Sequence, residues 1–507
     1  MLARKSTFIL IADISNAFLG YIALFFIAKY IGPGPYGIVM FAMGYVALLT
    51  LYGDLGFDSA HIKYISSGEN QAKCTGVYFT VECVLIVVDV LVVLMSLIIW
   101  KALGHGFESP NEELVIYVIL AATMLKSLTS PLLGVFTAER EMVKHRLSIL
   151  AGTVFRLIGI IYIGIMHLSI FAFAYVFLVE AIAILSISSF FFFRDHTLAR
   201  PTKKYFKMYA SYATPMAFAV IFGVAVTSIS PVLLQLCFSS MTVGYYSAAF
   251  RIVGVLGIFT GALGTLLFPT LSSLHSDGDL KGMGNLISES ERYLSMISFP
   301  LVFCTMALSF PISAVMLAGW LPASAILQVL PLYLLFSSLE QPYSSHILGS
   351  SHPKIILNRM FISCCICVGL NLLLVPKTLF GTPLADLGGV GAAIALVASS
   401  LSGFIYCRIM SHKILPDKIN KHLLFHFAAA GIMAVVMYFL SLRYFTTSQF
   451  SLVNWALLIS FGLLYIAGYV SILVILREFT KKDLSLILYA MNIKKLYAYA
   501  KGEIKKK

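Results

Sequence analysis

The 507-residue chain predicts an all-α, polytopic membrane protein with about fourteen transmembrane helices. Three observations carry that reading. Hydrophobic residues make up 59% of the chain and charged residues 12%, with a mean hydropathy of +0.91, so too little polar surface exists to cover a water-soluble fold. A hydrocarbon core of ~30 Å takes ~20 apolar residues per helix, and runs of that length recur along almost the whole sequence with short polar breaks. The basic residues gather in alternate breaks, as the positive-inside rule requires. A β-barrel would instead show segments of about ten residues with alternating polarity.

In order, the predicted spans cover 7–30, 36–58, 75–100, 114–136, 147–167, 169–193, 208–238, 244–271, 293–318, 324–349, 355–376, 387–410, 422–442 and 452–476. The first follows only Arg4 and Lys5 and has no small-residue cleavage site, so it is expected to be a retained helix rather than a signal peptide. Span 8 carries Gly254, Gly257, Gly261 and Gly264, span 10 a kink-forming Pro342, and span 12 begins with Gly388, Gly389, Gly391, Ala392 and Ala393. Such small residues let helices approach closely.

Charge tests the span count. With the N-terminus inside, the inner helix ends and connections hold 29 of the 36 Lys and Arg residues, while the outer ones hold only Lys29, Lys101, Lys377 and Arg443. Both termini are therefore expected in the cytoplasm, the protein residing in the cell membrane. The net charge of +13 calls for no nucleic acid, because nine basic residues follow span 14. Their attraction to anionic lipid headgroups is worth ~1 kcal/mol each. The cysteines within spans match no zinc spacing and read as small packing residues.

No soluble domain interrupts the spans. The widest basic break, Arg194 to Lys207, divides two stretches that begin alike. Gly32, Pro33, Gly34, Pro35, Tyr36 and Gly37 join spans 1 and 2, and Ser239 to Tyr246 join spans 7 and 8. A duplication is expected: two pseudo-symmetric six-helix lobes over 1–200 and 201–415, two further helices within 416–477, and a basic tail over 478–507.

Ionisable residues inside spans cost ~2.5–3.5 kcal/mol each at mid-bilayer, so they face a bundle interior or water. On span 3, Thr75, Tyr78, Glu82, Asp89 and Ser96 fall on one helix face. Glu82 and Asp89 lie ~10 Å apart along it. Asp13 in span 1, Glu180 in span 6 and Glu340 in span 10 complete the acids able to carry a coupling Na+ or H+. The cations are Lys126, Arg156 and Arg251, candidates for a phosphate-bearing ligand because arginine forks onto phosphate oxygens. Gly152 and Gly159 flank Arg156 and are expected to leave room beside it for an anion. Each of these charges has a plainer reading as an interhelical ion pair. Asp54, Asp58, His61 and Lys63 at the inner end of span 2 are expected to be interfacial and structural.

Three blocks carry a resemblance. Ala28 to Gly32 with Pro35, Tyr36, Gly37 and then Gly53, Asp54, Leu55 and Gly56 form the first. Gly244 to Arg251, closed by Phe268 and Pro269, form the second, and Asn371 to Pro376 with Gly388 to Ile394 the third. Together they resemble the polysaccharide-exporter branch, with its Wzx-type O-antigen flippases, of the multidrug/oligosaccharidyl-lipid/polysaccharide (MATE-like) exporter superfamily. The resemblance implies two six-span lobes around a central cavity, two extra C-terminal spans, and flipping of polyprenyl-diphosphate-linked oligosaccharides to the outer leaflet by alternating access. Family members often carry an acid late in span 7, where this chain has Ser230, Pro231 and Gln235.

Expected partners are that lipid-linked oligosaccharide, anionic membrane lipids and other polysaccharide-assembly membrane proteins, with no cofactor beyond a coupling ion. An ion-coupled multidrug or cation antiporter and a lipid II flippase are the alternative transporters. A membrane glycosyltransferase or polymerase would need a sizeable outer loop or a nucleotide-sugar domain, and the chain offers neither.

Overall fold

The computed structural model describes residues 2–50, 55–102, 110–379, 381–416, 420–445, 451–480 and 483. Its elements follow the apolar runs, because a helix satisfies its backbone groups internally where no water can. They are α1 (Leu2–Phe26, continued by a π-helical turn over Ile27–Ile31), α2 (Pro33–Leu49), α3 (Phe57–Ser66), α4 (Gln71–Ala102), α5 (Pro110–Ala138) and α6 (Met142–Met166). Next come α7 (Ile170–Asp195), α8 (Lys203–Cys237), α9 (Ser240–Ser276), α10 (Leu280–Ala307), α11 (Ser309–Val315), α12 (Pro322–Val329), α13 (Pro331–Gly349) and α14 (Pro353–Leu374). A two-residue hairpin, β1 (Thr378–Leu379) against β2 (Thr382–Pro383), leads to α15 (Gly388–Ile414), α16 (His422–Tyr444) and α17 (Leu452–Ile475).

Twelve described helical segments are long and apolar enough to cross a membrane. The bent pair α10–α11 makes thirteen if it crosses as one span, and the seventeen-residue apolar α2 lies where the second of the fourteen expected spans was placed. Large apolar side chains point outward, Ile98 and Phe439 among them at 65% and 66% exposed, and only lipid can solvate them. The protein is thus a multi-pass membrane protein.

Glycine and proline set the element ends. Gly32 adopts φ +91° before Pro33 opens α2, and Gly56 adopts φ +78° before α3. Span 2, expected as one run to residue 58, therefore ends at Leu49, with α3 a separate helix; Gly53 and Asp54 lie outside the described residues. Span 9, expected as one run over 293–318, bends by 66° between α10 and α11. Pro311 has no N–H for the Ala307 carbonyl four residues back, which is where α10 stops.

The chain packs as two compact units that divide between Gly244 and Tyr245. In the first, α7 packs on both α5 and α6, α1 lies on α6, and α2 runs along α5 and α8. The division falls later than the repeat boundary expected at 200, because α8 packs against α2 and α3. His61 marks the core of this unit: fully buried, it bonds Tyr209 Oη at 2.9 Å and the Pro131 carbonyl at 3.0 Å, tying α3 to α8 and α5. The first turns of α2 and α9 touch backbone to backbone. A methyl on Gly37 would overlap the Ser240 carbonyl, and one on Gly244 the Pro33 carbonyl.

In the second unit, α15 packs between α13 and α14, and α10 lies against α13 and α16. The last two spans, expected as an appendage over 416–477, are fastened into this unit. Tyr465 donates to the Ala430 carbonyl at 2.9 Å, Tyr469 to the Met296 carbonyl at 3.1 Å, and His426 bonds Ser295 at 2.8 Å. The basic tail beyond residue 483 lies outside the described residues.

Candidate functional site

The polar stripe on α4 turns inward. Thr75 and Tyr78 are fully buried and Glu82 and Asp89 each 2% exposed, while Val84, Val87, Leu91 and Ile98 on the other faces are more than half exposed. Toward the far end of the stripe, Ser96 Oγ lies 2.8 Å from Tyr45 Oη of α2. Asp89 Oδ1 is buried with no hydrogen-bond partner among the described residues. A carboxyl held that way is poorly solvated as an anion and gains most from a proton or a small cation.

A second polar seam follows α6. Arg146, Thr153 and Arg156 recur at seven and three residues, which keeps them near one face over ~15 Å. Arg146 pairs with Asp13 of α1 at 3.2 Å, and Thr153 donates to Asn16 Oδ1 at 2.5 Å. Arg156 Nη1 meets Glu180 Oε1 of α7 at 2.8 Å, and Lys126 Nζ of α5 meets Glu180 Oε2 at 3.1 Å. Two cations share one buried carboxylate, so this cluster carries a net positive charge. Lys126 is its open member, its side chain 40% exposed.

The glycines beside Arg156 do not make room for an anion. A methyl on Gly152 would overlap Ile184, and one on Gly159 would lie 3.0 Å from Val176. Both seat α7 hard against α6, and that contact brings Glu180 onto Arg156.

In the second unit, Glu340 of α13 is buried against Arg359 of α14, with Cys407 Sγ of α15 at 3.8 Å. Glu291 of α10 accepts from Arg408 at 2.6 Å and from Tyr343 at 2.5 Å. Arg251 differs from all of these. It is exposed on α9, twelve residues or ~17 Å into the helix, with no ion pair or hydrogen bond among the described residues. Gly254 and Gly261, within about 80° of it on the helical wheel, meet nothing on that side, whereas Gly257 faces Leu334 at 3.3 Å and Gly264 sits under Gln341. One side of α9 is therefore packed on α13 and the side bearing Arg251 is open.

Sequence reasoning placed Arg146, Arg292, Arg359 and Arg408 among the inner helix ends and missed their pairing. Their partners Asp13, Glu478, Glu340 and Glu291 stand on other elements, and helix periodicity carries no information across helices. Gln235, standing where related chains carry an acid, lies 3.2 Å from buried Glu112 at the start of α5. Arg292 grips the segment after α17: it contacts Glu478 at 2.8 Å and Asp483 at 3.0 Å, and His422 bonds Glu478 at 2.7 Å. Burial works against ionisation of Glu478 and Asp483, but Arg292 with His422 at Glu478, and Arg292 with the Thr480 hydrogen bonds at Asp483, together hold both carboxyls below their ordinary range.

Comparison with known proteins agrees with this architecture. The chain is 21% identical to the probable low-salt glycan biosynthesis flippase Agl15 of Haloferax volcanii over 406 residues, 78% of this chain and 81% of that one. Among solved structures, it superposes on the lipid II flippase MurJ in an inward closed conformation with a TM-score of 0.70 at 17% identity, covering 91% of this chain and 97% of that one. It also matches an inward-facing multidrug resistance MATE family transporter of the MOP superfamily, with a TM-score of 0.62 at 15% identity over 80% of this chain and 98% of that one. At these identities the two structures show a shared fold. The polysaccharide biosynthesis protein pattern matches residues 2–275, more than half of the sequence, and the chain belongs to that family.

Proposed function

We propose that the protein flips a polyprenyl-diphosphate-linked oligosaccharide from the cytoplasmic to the outer leaflet of the cell membrane, by alternating access, for polysaccharide assembly. Membership of a polysaccharide biosynthesis family and likeness to a glycan flippase support this reading. The observation that carries it is Arg251. An arginine exposed partway along an apolar helix with no acid beside it is costly in lipid, and a diphosphate headgroup repays that cost with two forked, charge-assisted hydrogen bonds. Lys126, the open member of its cluster, is the first unit's candidate contact, with Arg156 fixed behind it by Glu180. The sugar needs only a polar surface, and the polyprenyl tail can stay in lipid. The work is transport rather than covalent catalysis.

Asp89 is the candidate coupling acid, taking a proton or Na+ in one stage of the cycle. Glu82, buried on the same face, is its neighbour in that role. Glu180, Glu340 and Asp13 are ion-paired and act as structural partners of Arg156, Arg359 and Arg146. The basic tail would hold anionic lipids, and assembly proteins of the same polysaccharide are the expected neighbours.

The test is deletion in the native host with mass spectrometry of polyprenyl-linked oligosaccharides. Accumulation on the cytoplasmic leaflet with loss of the surface glycan is expected. Arg251→Ala should fail to rescue at wild-type protein level and thermal stability, since it breaks no pair, and Arg251→Lys should rescue in part. Unchanged glycan lipids with raised sensitivity to cationic drugs would replace this reading with a multidrug antiporter, and accumulation of lipid II would replace the cargo.

A further inference from the structure

We propose that Glu139, Glu141 and His196 form a binding site for a first-row divalent transition-metal ion of the zinc type, at the junction between the α5–α6 turn and the end of α7. Three observations build the site. Arg140 adopts φ +62°, and this left-handed turn brings Glu139 and Glu141 to one side of the chain. His196 caps α7 at the opposite side, its ring held between Phe136 and Phe192 with centroids 6.3 and 5.4 Å away. One ligand atom from each of the three residues lies within 4.8 Å of the others.

The imidazole itself supplies a further, independent observation. The His196 side chain is 9% exposed, yet among the described residues its Nε2 is buried without a hydrogen-bond partner and lies between the two carboxylates. It lies 3.5 Å from Glu141 Oε2 and 3.7 Å from Glu139 Oε2. Those separations exceed the usual hydrogen-bond range of about 2.7–3.2 Å. They approach the ~3.3 Å between two ligands on one tetrahedral ion with bonds of about 2.05 Å. One nitrogen and two carboxylate oxygens, with water free to complete the shell from the exposed side, suit zinc, manganese or nickel better than magnesium or calcium.

Lys144 does not occupy this position. It contacts both Glu141 oxygens at 2.6 and 2.7 Å and Asp195 at 2.7 Å, and so fixes the carboxylate that stands 3.5 Å from His196. Each carboxylate oxygen keeps a second lone pair for the ion. Bound there, the ion would staple the α5–α6 turn to the start of the 196–202 connector. That connector is already fastened to α4 by the Ala199 N–H bond to the Ala72 carbonyl at 3.1 Å.

The test uses the full-length protein in detergent, stripped with EDTA, and measures Zn2+ bound by equilibrium dialysis, with the visible ligand-field bands of Co2+ as a second readout. Glu139→Gln, an isosteric change at a partly exposed position, and His196→Ala are each expected to bind about one equivalent less than wild type and to lose the Co2+ bands. Glu139→Gln keeps the test open if His196→Ala fails to fold. Equal stoichiometry in wild type and both variants, or no zinc bound by the wild type, would overturn the proposal and leave His196 as an ion-pair partner only.

Discussion

Glu180 shows how one carboxylate can decide the charge of a buried cluster. It holds Arg156 and Lys126 together, so Glu180→Gln leaves two cations facing each other in a low-dielectric interior. Breaking such a pair costs about 3–5 kcal/mol, and a large fall in thermal unfolding temperature is expected for purified Glu180→Gln. Lys126→Met keeps one-to-one pairing and removes only the exposed member, so its unfolding temperature should stay near wild type while flipping falls. If the two variants were equally destabilised, Lys126 would be a structural partner and not a ligand contact. Gly37 and Gly244 make the matching argument for packing. Their methyl groups would meet backbone carbonyls that cannot swing aside, and overpacking of this kind costs about 1–3 kcal/mol or more. Gly37→Ala and Gly244→Ala should each lower folded yield on size-exclusion chromatography, whereas Gly34→Ala, with its nearest neighbour a flexible Met241 at 3.8 Å, should not.

Among the helices, α10 and α16 with the segment after α17 form a cluster whose response to pH has a definite sign. Glu478 and Asp483 are held below their ordinary range by Arg292 together with His422 and Thr480, so their contribution is complete above the unfolded carboxylate value of ~4 and disappears as pH falls through the lower folded values. A spin label at Phe479→Cys, which leaves the Arg292 and Thr480 contacts in place, should be immobile at neutral pH and become mobile only well below pH ~4. In Arg292→Ala it should be mobile at neutral pH already. A label that loosened near neutrality in the wild type would show that the two carboxyls do not hold this segment. The same scale shows what sequence could reveal about the elements. Span positions followed from apolar run length, and the α4 stripe from its spacing, because both are properties of one helix. The 66° bend after Ala307 was legible only to the extent that Pro311 was weighed against a continuous apolar run. The pairing of Glu340 with Arg359 and of Glu291 with Arg408 depends on which helices become neighbours, and no local pattern encodes that. Gly152 and Gly159 were misjudged for the same reason: a glycine leaves either space or contact, and only α7 decides which.

For the molecule as a whole, orientation and span number are one question, and α10–α11 is where they meet. Asp277 and Ala385 are both exposed, and between them lie the bent pair, the α12–α13 span and α14. If the bent pair crosses the membrane, three crossings separate the two positions and they face opposite sides. If it is re-entrant, two crossings separate them and they share a side. The charges favour crossing: Lys281 and Arg292 follow Asp277, while only Lys377 accompanies the hairpin before Ala385. Asp277→Cys and Ala385→Cys, each with Cys83, Cys237 and Cys365 changed to alanine, can be treated with a membrane-impermeant maleimide on intact cells. Ala385→Cys is expected to react at once and Asp277→Cys only after permeabilisation. Labelling of both together would make the bent pair re-entrant and the span count thirteen, with the two chain ends on opposite sides. Labelling of Asp277→Cys alone would keep fourteen spans but invert the protein.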